Sequence, residues 1–299
     1  MKLKPNHNLL AHLAVLSANI IYGINYSVAK EVMPLYIQPF AFIFLRVVSA
    51  AILFSLAHAL FVREKVEKQD YIPLAMCGLF GVAINQLLFF KGLSLTQPIN
   101  AALMMTTNPV QVMLLAYIFL KERITNVKIF GITLGLIGAA SIIITGKQIS
   151  MNGSTMLGDT FIFLNSLSYA YFIIIAKPLL KKYHPVTVMK FAFLFGSIVV
   201  IPFGLNELSE VQWHVIPVEA WYKITFIILA TTFIAYLLNT FALRRLPSGT
   251  VSMYIYTQPV FATLMSIYLG LGHPQPIHFI AATFIFVGVF LVSKPQAVK

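Results

Sequence analysis

The sequence predicts an all-α membrane protein of ten transmembrane helices, built as two five-helix inverted-topology repeats around a central cavity. Three observations predict it: an apolar, charge-poor composition, a lopsided distribution of basic residues among the loops, and an internal repeat. Of the 299 residues, 59% are hydrophobic and 10% are charged. Ordinary soluble domains are roughly 45–50% apolar and about 25% charged. So little polar surface cannot solvate a globule. Apolar runs of ~20 residues between short polar breaks can cross a ~30 Å hydrocarbon core. They lack the alternation of barrel strands.

Ten runs fit, at about 9–30, 38–61, 71–91, 97–119, 125–145, 158–180, 185–205, 219–243, 248–270 and 275–293. The first is too long for a signal-peptide core and has no small-residue cleavage pattern. The second holds Arg46. A mid-span Arg costs ~2.5–3.5 kcal/mol, and each Leu, Ile, Phe or Val returns ~0.3–0.6. "FAFIFLRVVSAAILFSLAHALF" contains enough of them to insert, with Arg46 facing the bundle or snorkelling outward. The third run carries Asn85 and Gln86; adjacent residues point ~100° apart, so both are not expected at one cavity. In the fourth, Asn108-Pro109 lies ~17 Å along the helix, near the membrane's middle. "GITLGLIGAAS" (131–141) in the fifth suits close helix contact or a homodimer face. The sixth, eighth and ninth bring Asn165, Tyr169, Asn239, Tyr254 and Gln258. Single Cys77 excludes an internal disulfide.

Loop charge tests the count. With the N-terminus cytoplasmic, the inside segments hold Lys2, Lys4, Arg63, Lys65, Lys68, Lys121, Arg123, Lys128, Lys177, Lys181, Lys182, Arg244, Arg245, Lys294 and Lys299. The outside holds Lys30, Lys91, Lys147 and Lys223. That bias predicts a multi-pass protein of the cell (inner) membrane with both termini cytoplasmic. The net charge of +12 therefore reflects membrane orientation, and no nucleic-acid partner is expected.

A shift of 150 residues superposes Thr107-Asn108-Pro109-Val110 on Thr257-Gln258-Pro259-Val260, and Gly138 on Gly288. A shift of 146 superposes Asn19 on Asn165 and Pro39 on Pro185. The halves are residues 1–150 and 151–299. Each holds five helices, an odd number, so the second enters the membrane upside down. Such folds place substrate near the midplane and expose it to either side by rocking. Each proline removes a backbone donor and frees a carbonyl one turn earlier. A lined cavity tolerates this. Pro109 and Pro259 are therefore expected to act as kinks or gating elements. A simple packing kink, with the amide as interhelical glue, is the competing reading.

The residues expected to bind substrate are Asn19, Tyr22, Asn25, Arg46, Asn85, Asn108, Gln111, Asn165, Tyr169, Tyr254 and Gln258. Asn19 and Tyr22 share a helix face, as do Asn108 and Gln111. Intramembrane charge is expensive and must be oriented, which singles out Arg46. The middles of the spans contain no Asp or Glu. Facilitated efflux is therefore favoured over proton antiport through a buried carboxylate. His58 is expected at the interface. No H-E-x-x-H, G-x-S-x-G or Walker motif occurs, so no enzyme, metal or cofactor is expected.

"Asn100-Ala101 … Asn108-Pro109 … Leu120-Lys121-Glu122-Arg123-Ile124 … Gly131 … Gly138" resembles the repeat of the EamA-like family of the drug/metabolite transporter superfamily. "YGINYSVAK" (22–30) and "FIFLRVVSAAIL" (43–54) resemble that family's first two helices. The resemblance covers nearly the whole chain and implies a ten-helix transporter exporting small metabolites or amino acids. Gly272 and His273 stand where the first repeat has Glu122 and Arg123, so Glu122 is expected to pair locally and end its helix rather than touch substrate. The alternatives are efflux of drug-like or lipid-linked molecules, or a non-transporting scaffold or sensor with a dry core. The expected partners are a small-molecule substrate and the lipid bilayer.

Overall fold

The computed structural model describes residues 5–33, 35–96, 101, 104–145, 153–268 and 275–293. Among these, every regular element is helical. The chain termini, Asn100, Lys147, Gly272 and His273 lie outside the described residues. The first half holds α1 (Pro5–Lys30), α2 (Pro39–Ala57), α3 (Tyr71–Gly78), α4 (Ile84–Leu95), α5 (Asn108–Leu120) and α6 (Asn126–Thr145). The second holds α7 (Gly153–Lys182), α8 (Pro185–Ser209), α9 (Val218–Phe226), α10 (Ala235–Arg245), α11 (Ser248–Met253), α12 (Gln258–Tyr268) and α13 (Pro276–Ser293).

Among the described residues, eight helical stretches are long and apolar enough to cross a membrane. They run Asn8–Asn25, Pro39–Val62, Lys68–Leu93, Asn126–Ile144, Met156–Lys182, Pro185–Ser209, Val218–Arg245 and Pro276–Ser293. The fourth and ninth expected spans differ from expectation: neither is one kinked rod. A turn at Thr106-Thr107 precedes α5, and a 3-10 turn over Tyr254–Thr257 separates α11 from α12. Pro109 and Pro259 are each the second residue of a new helix. Proline has no amide to donate, and at a helix start none is needed from it. The carbonyl four residues before Pro259, that of Ile255, accepts from Gln258 N instead. The threonine before each amide bonds back within the break. Thr107 Oγ1 donates to Met104 O and Thr257 Oγ1 to Tyr254 O, each at 2.6 Å. The two breaks are built alike.

Packing between the halves is reciprocal. α2 lies along α8 and α6 along α13; α4 and α5 contact α7, while α10 and α12 contact α1. Glycines let the backbones of α6 and α13 meet. A Cβ on Gly288 would lie 2.5 Å from the Gly131 carbonyl, and one on Gly138 would lie 2.6 Å from that of Ala281. The small-residue face of the fifth span is thus occupied within the chain.

The starts of α2 and α8 are also alike. Gln38 and His184 are extended, as a residue before proline prefers, and Pro39 and Pro185 open the helices. Each start takes a carboxylate from the opposite half. Glu207 Oε2 accepts from Phe40 N at 2.7 Å and Ala41 N at 3.0 Å. Glu64 Oε2 accepts from His184 N at 2.9 Å and from Thr187 Oγ1 at 2.7 Å. Anions are favourable at helix starts, where amides lack partners and the dipole is positive.

Two expectations about charged residues, Glu122 and Lys177, change. Glu122 reaches across to the other half, accepting from Ser248 N at 3.1 Å at the start of α11, because that helix start presents an unfilled amide. Lys177 lies buried within α7, not in a loop; its ammonium donates to the Leu243 and Leu246 carbonyls at the end of α10. His58 is buried too, its Nε2 3.0 Å from the Glu64 carbonyl.

A polar cavity between the two halves

A cavity of ≈ 130 Å³ opens between α1, α2, α4 and α7 and the stretches Ile227–Arg245 and Val251–Gln258. Eight of the eleven expected residues line it: Asn19, Tyr22, Asn25, Arg46, Asn85, Asn165, Tyr169 and Gln258. Phe89, Phe90, Met105, Ile173, Val251 and Ile255 supply apolar wall.

Arg46 is 6% exposed and faces the cavity, so it does not snorkel. Its Nε donates to Thr232 Oγ1 at 3.0 Å. The guanidinium carbon lies 5.6 Å from the centre of the Phe90 ring and 6.0 Å from that of Phe42. Arginine stacks on aromatic faces because it is weakly hydrated and delocalised. Among the described residues no carboxylate pairs with it.

The amides tie the halves together and still leave acceptors over. Gln258 Nε2 donates to Asn19 Oδ1 at 2.8 Å, and Asn19 Nδ2 to Val15 O at 2.7 Å. Asn165 Nδ2 donates to the Asn85 carbonyl, and Asn239 Nδ2 to the Tyr169 hydroxyl. The side-chain oxygens of Asn25, Asn165 and Asn239 and the hydroxyl of Thr231 are buried without a partner among the described residues. Buried acceptors left unpaired cost about 1–3 kcal/mol each. A polar ligand or water in the cavity would satisfy them.

Two π turns flank the site, Leu79–Ala83 between α3 and α4 and Ile227–Ile234 between α9 and α10. Adding 150 to 79–83 gives 229–233, inside the second turn. Such turns recur at functional sites because they rotate the following side chains off the regular helical spacing. Nothing in the apolar composition of these stretches signals them. Gln86 lines the cavity together with Asn85, against expectation, because the space is broad enough to take both faces of α4. Thr231, Tyr236 and Ser252 join the lining unforeseen, and Asn239 joins as one of the span amides.

Asn108, Gln111 and Tyr254 do not reach the lining. Asn108 is fully buried, with Nδ2 donating to Ser166 O at 2.8 Å; Gln111 Oε1 accepts from Ser166 Oγ at 2.7 Å. These amides hold α5 to α7. The Tyr254 hydroxyl is 2.9 Å from His12 Nδ1. Pro109 and Pro259 start helices beside the cavity without lining it.

A multi-pass helical membrane protein with an arginine-bearing polar cavity between two similar halves is the architecture of a membrane transporter. The chain belongs to the EamA-like transporter family, whose model matches residues 9–144 and again 156–294. It is 27% identical to "Uncharacterized transporter YyaM" of Bacillus subtilis (strain 168), covering 96% of this chain and 94% of that one. It is 24% identical to "Uncharacterized transporter YetK" of the same organism, over 97% of this chain and 87% of the relative. A "Probable terminal-alkyne amino-acid exporter" of Streptantibioticus cattleyicolor is 26% identical over 76% of this chain and 74% of its own. A solved crystal structure superposes with a TM-score of 0.78 at 17% identity, over 95% of this chain and 96% of that chain. At that identity the likeness is one of fold.

Proposed function

We propose that the protein exports small metabolites that carry a carboxylate, amino acids foremost, by alternating access. The observation that carries this is Arg46: a buried cation, without a carboxylate partner among the described residues, on a cavity lined from both halves. Intramembrane ionisable residues are expensive, face the bundle interior or a water-filled cavity, and mark substrate pathways. The unpaired oxygens of Asn25, Asn165 and Asn239 suit an ammonium, and the phenyl walls suit an apolar side chain. The relative named as an amino-acid exporter supports the same substrate class.

Ten spans in two inverted halves, with both termini cytoplasmic in the inner membrane, complete the proposal. The reciprocal pairing of helices and the matched breaks support it. Rocking one half against the other would then open the cavity to either side. A scaffold or sensor would have its amides paired to each other. The unpaired acceptors and the cavity favour transport instead.

The test is flux into and out of proteoliposomes, with a panel of amino acids and their carboxamides, with and without a pH gradient. Amino acids should move and their carboxamides should compete poorly. Arg46→Gln should abolish that preference. Amino-acid flux and affinity that survive Arg46→Gln intact would sink the proposal.

A further inference from the structure

Arg46 is held by a residue that the repeat does not conserve between the halves. The counterpart of Thr232 at 232 − 150 is Val82, and that of Arg46 at 46 + 146 is Ala192. Both π turns are present, and each sits against the second helix of the other half. The first turn meets α8, where a Cβ on Gly196 would lie 2.7 Å from Val82 Cβ. The second meets α2 at Arg46. One contact is apolar and the other polar within the same backbone frame. The hydroxyl of Thr232 is therefore not needed to build the turn.

We propose that Thr232 is a positioning residue that aims the guanidinium of Arg46 at the anionic group of the substrate. This rests on the reading of Arg46 given above. The Thr232 hydroxyl donates to Ile227 O at 2.9 Å, five residues back. In a regular helix a threonine bonds the carbonyl three or four back. The π turn shifts the acceptor to Ile227 and turns the hydroxyl oxygen's lone pairs toward α2. With its hydrogen committed to Ile227, that oxygen can only accept from Arg46, and it does so from Nε. A guanidinium is planar, so one bond at Nε and the Phe42 and Phe90 rings restrict its orientation. The two terminal amino groups are then presented together, the fork that grips a carboxylate bidentately.

The experiment measures leucine and leucinamide binding and uptake in purified, reconstituted wild type, Thr232→Val and Thr232→Ser. Val is nearly isosteric with Thr and removes the hydroxyl, both the acceptor for Arg46 and the donor to Ile227 O; Ser retains both. Thr232→Val should raise the apparent KM for leucine on the order of ten-fold, the scale of a lost hydrogen bond to a charged group. Leucinamide affinity should stay within about two-fold, and Thr232→Ser should restore leucine affinity, a pattern that a general packing defect would not give. Should the Val variant misfold, Thr232→Ala carries the same expectation without added bulk. Wild-type preference for leucine that persists unchanged in the Val or Ala variant overturns the role of Thr232 and leaves that of Arg46 standing. Wild type without any preference for leucine overturns both.

Discussion

Gln258, the first residue after the second helix break, donates from Nε2 to Asn19 Oδ1 at 2.8 Å, joining the ninth span to the first. The bond brings together residues 239 positions apart and stands at the cavity wall. A double-mutant cycle with Asn19→Ala and Gln258→Ala, read by unfolding in mixed micelles, should give a coupling of about 0.6 kcal/mol and at most ~1.7. Strict additivity would show that the bond is absent in the membrane-like state.

The glycine contacts make opposite predictions at two positions. Gly288→Ala should destabilise by about 1–3 kcal/mol, because its new methyl group would press on the Gly131 backbone. Gly249→Ala meets nothing within 4 Å, and should stabilise by about 0.4–1 kcal/mol through the unfolded chain. Thermal unfolding in detergent distinguishes them. A Gly288→Ala protein as stable as wild type would refute the close approach of α6 and α13.

Glu64 and Glu207 cap helix starts in the opposite half. Replacing either by Ala should cost about 0.5–2 kcal/mol, the range for a lost cap. The sites share no partner, so the double variant should lose the sum. Hydrogen exchange should quicken first at Phe40 and Ala41 in Glu207→Ala, and at His184 in Glu64→Ala. Unchanged protection there would argue that water fills the same role.

His184 opens α8 with Nδ1 accepting from Val186 N at 3.3 Å, which requires a neutral ring nitrogen. Desolvation, and then the nearby Arg244, lower its pKa below 6.5. The folded state thus holds this proton less readily than the unfolded chain. Its contribution to stability is present above pH 6.5 and fades as pH falls through the lower folded value. The melting temperature should therefore drop more between pH 7 and pH 5 in wild type than in His184→Asn, which caps without titrating. Equal drops would assign the effect to other groups.

Cavity and interface amides should differ in reactivity. In a Cys77→Ala background, Asn25→Cys should react with a small cationic thiol reagent, while Asn108→Cys should be protected. Asn25 lines the cavity and Asn108 is fully enclosed between α5 and α7. Equal labelling would contradict the division of the polar residues drawn above.

Composition and patterning carried the coarse result: a helical membrane protein with two similar halves. Its free-energy terms are local to each segment. Transfer of an apolar run into lipid depends on that run alone, so the spans with Arg46 and with Pro185 could be placed without knowing their neighbours. The paired Asn108-Pro109 and Gln258-Pro259 stood out for the same reason. Tertiary structure decided which polar groups meet. Asn108 and Gln258 occupy matching positions, yet one is spent on Ser166 inside a helix contact and the other lines the cavity. The π turn that brings Thr232 to Arg46 has no compositional mark, and Glu122 found its partner 126 residues away. Hydrogen bonds act over about 3 Å, and distances of that size are set only when the two halves pack.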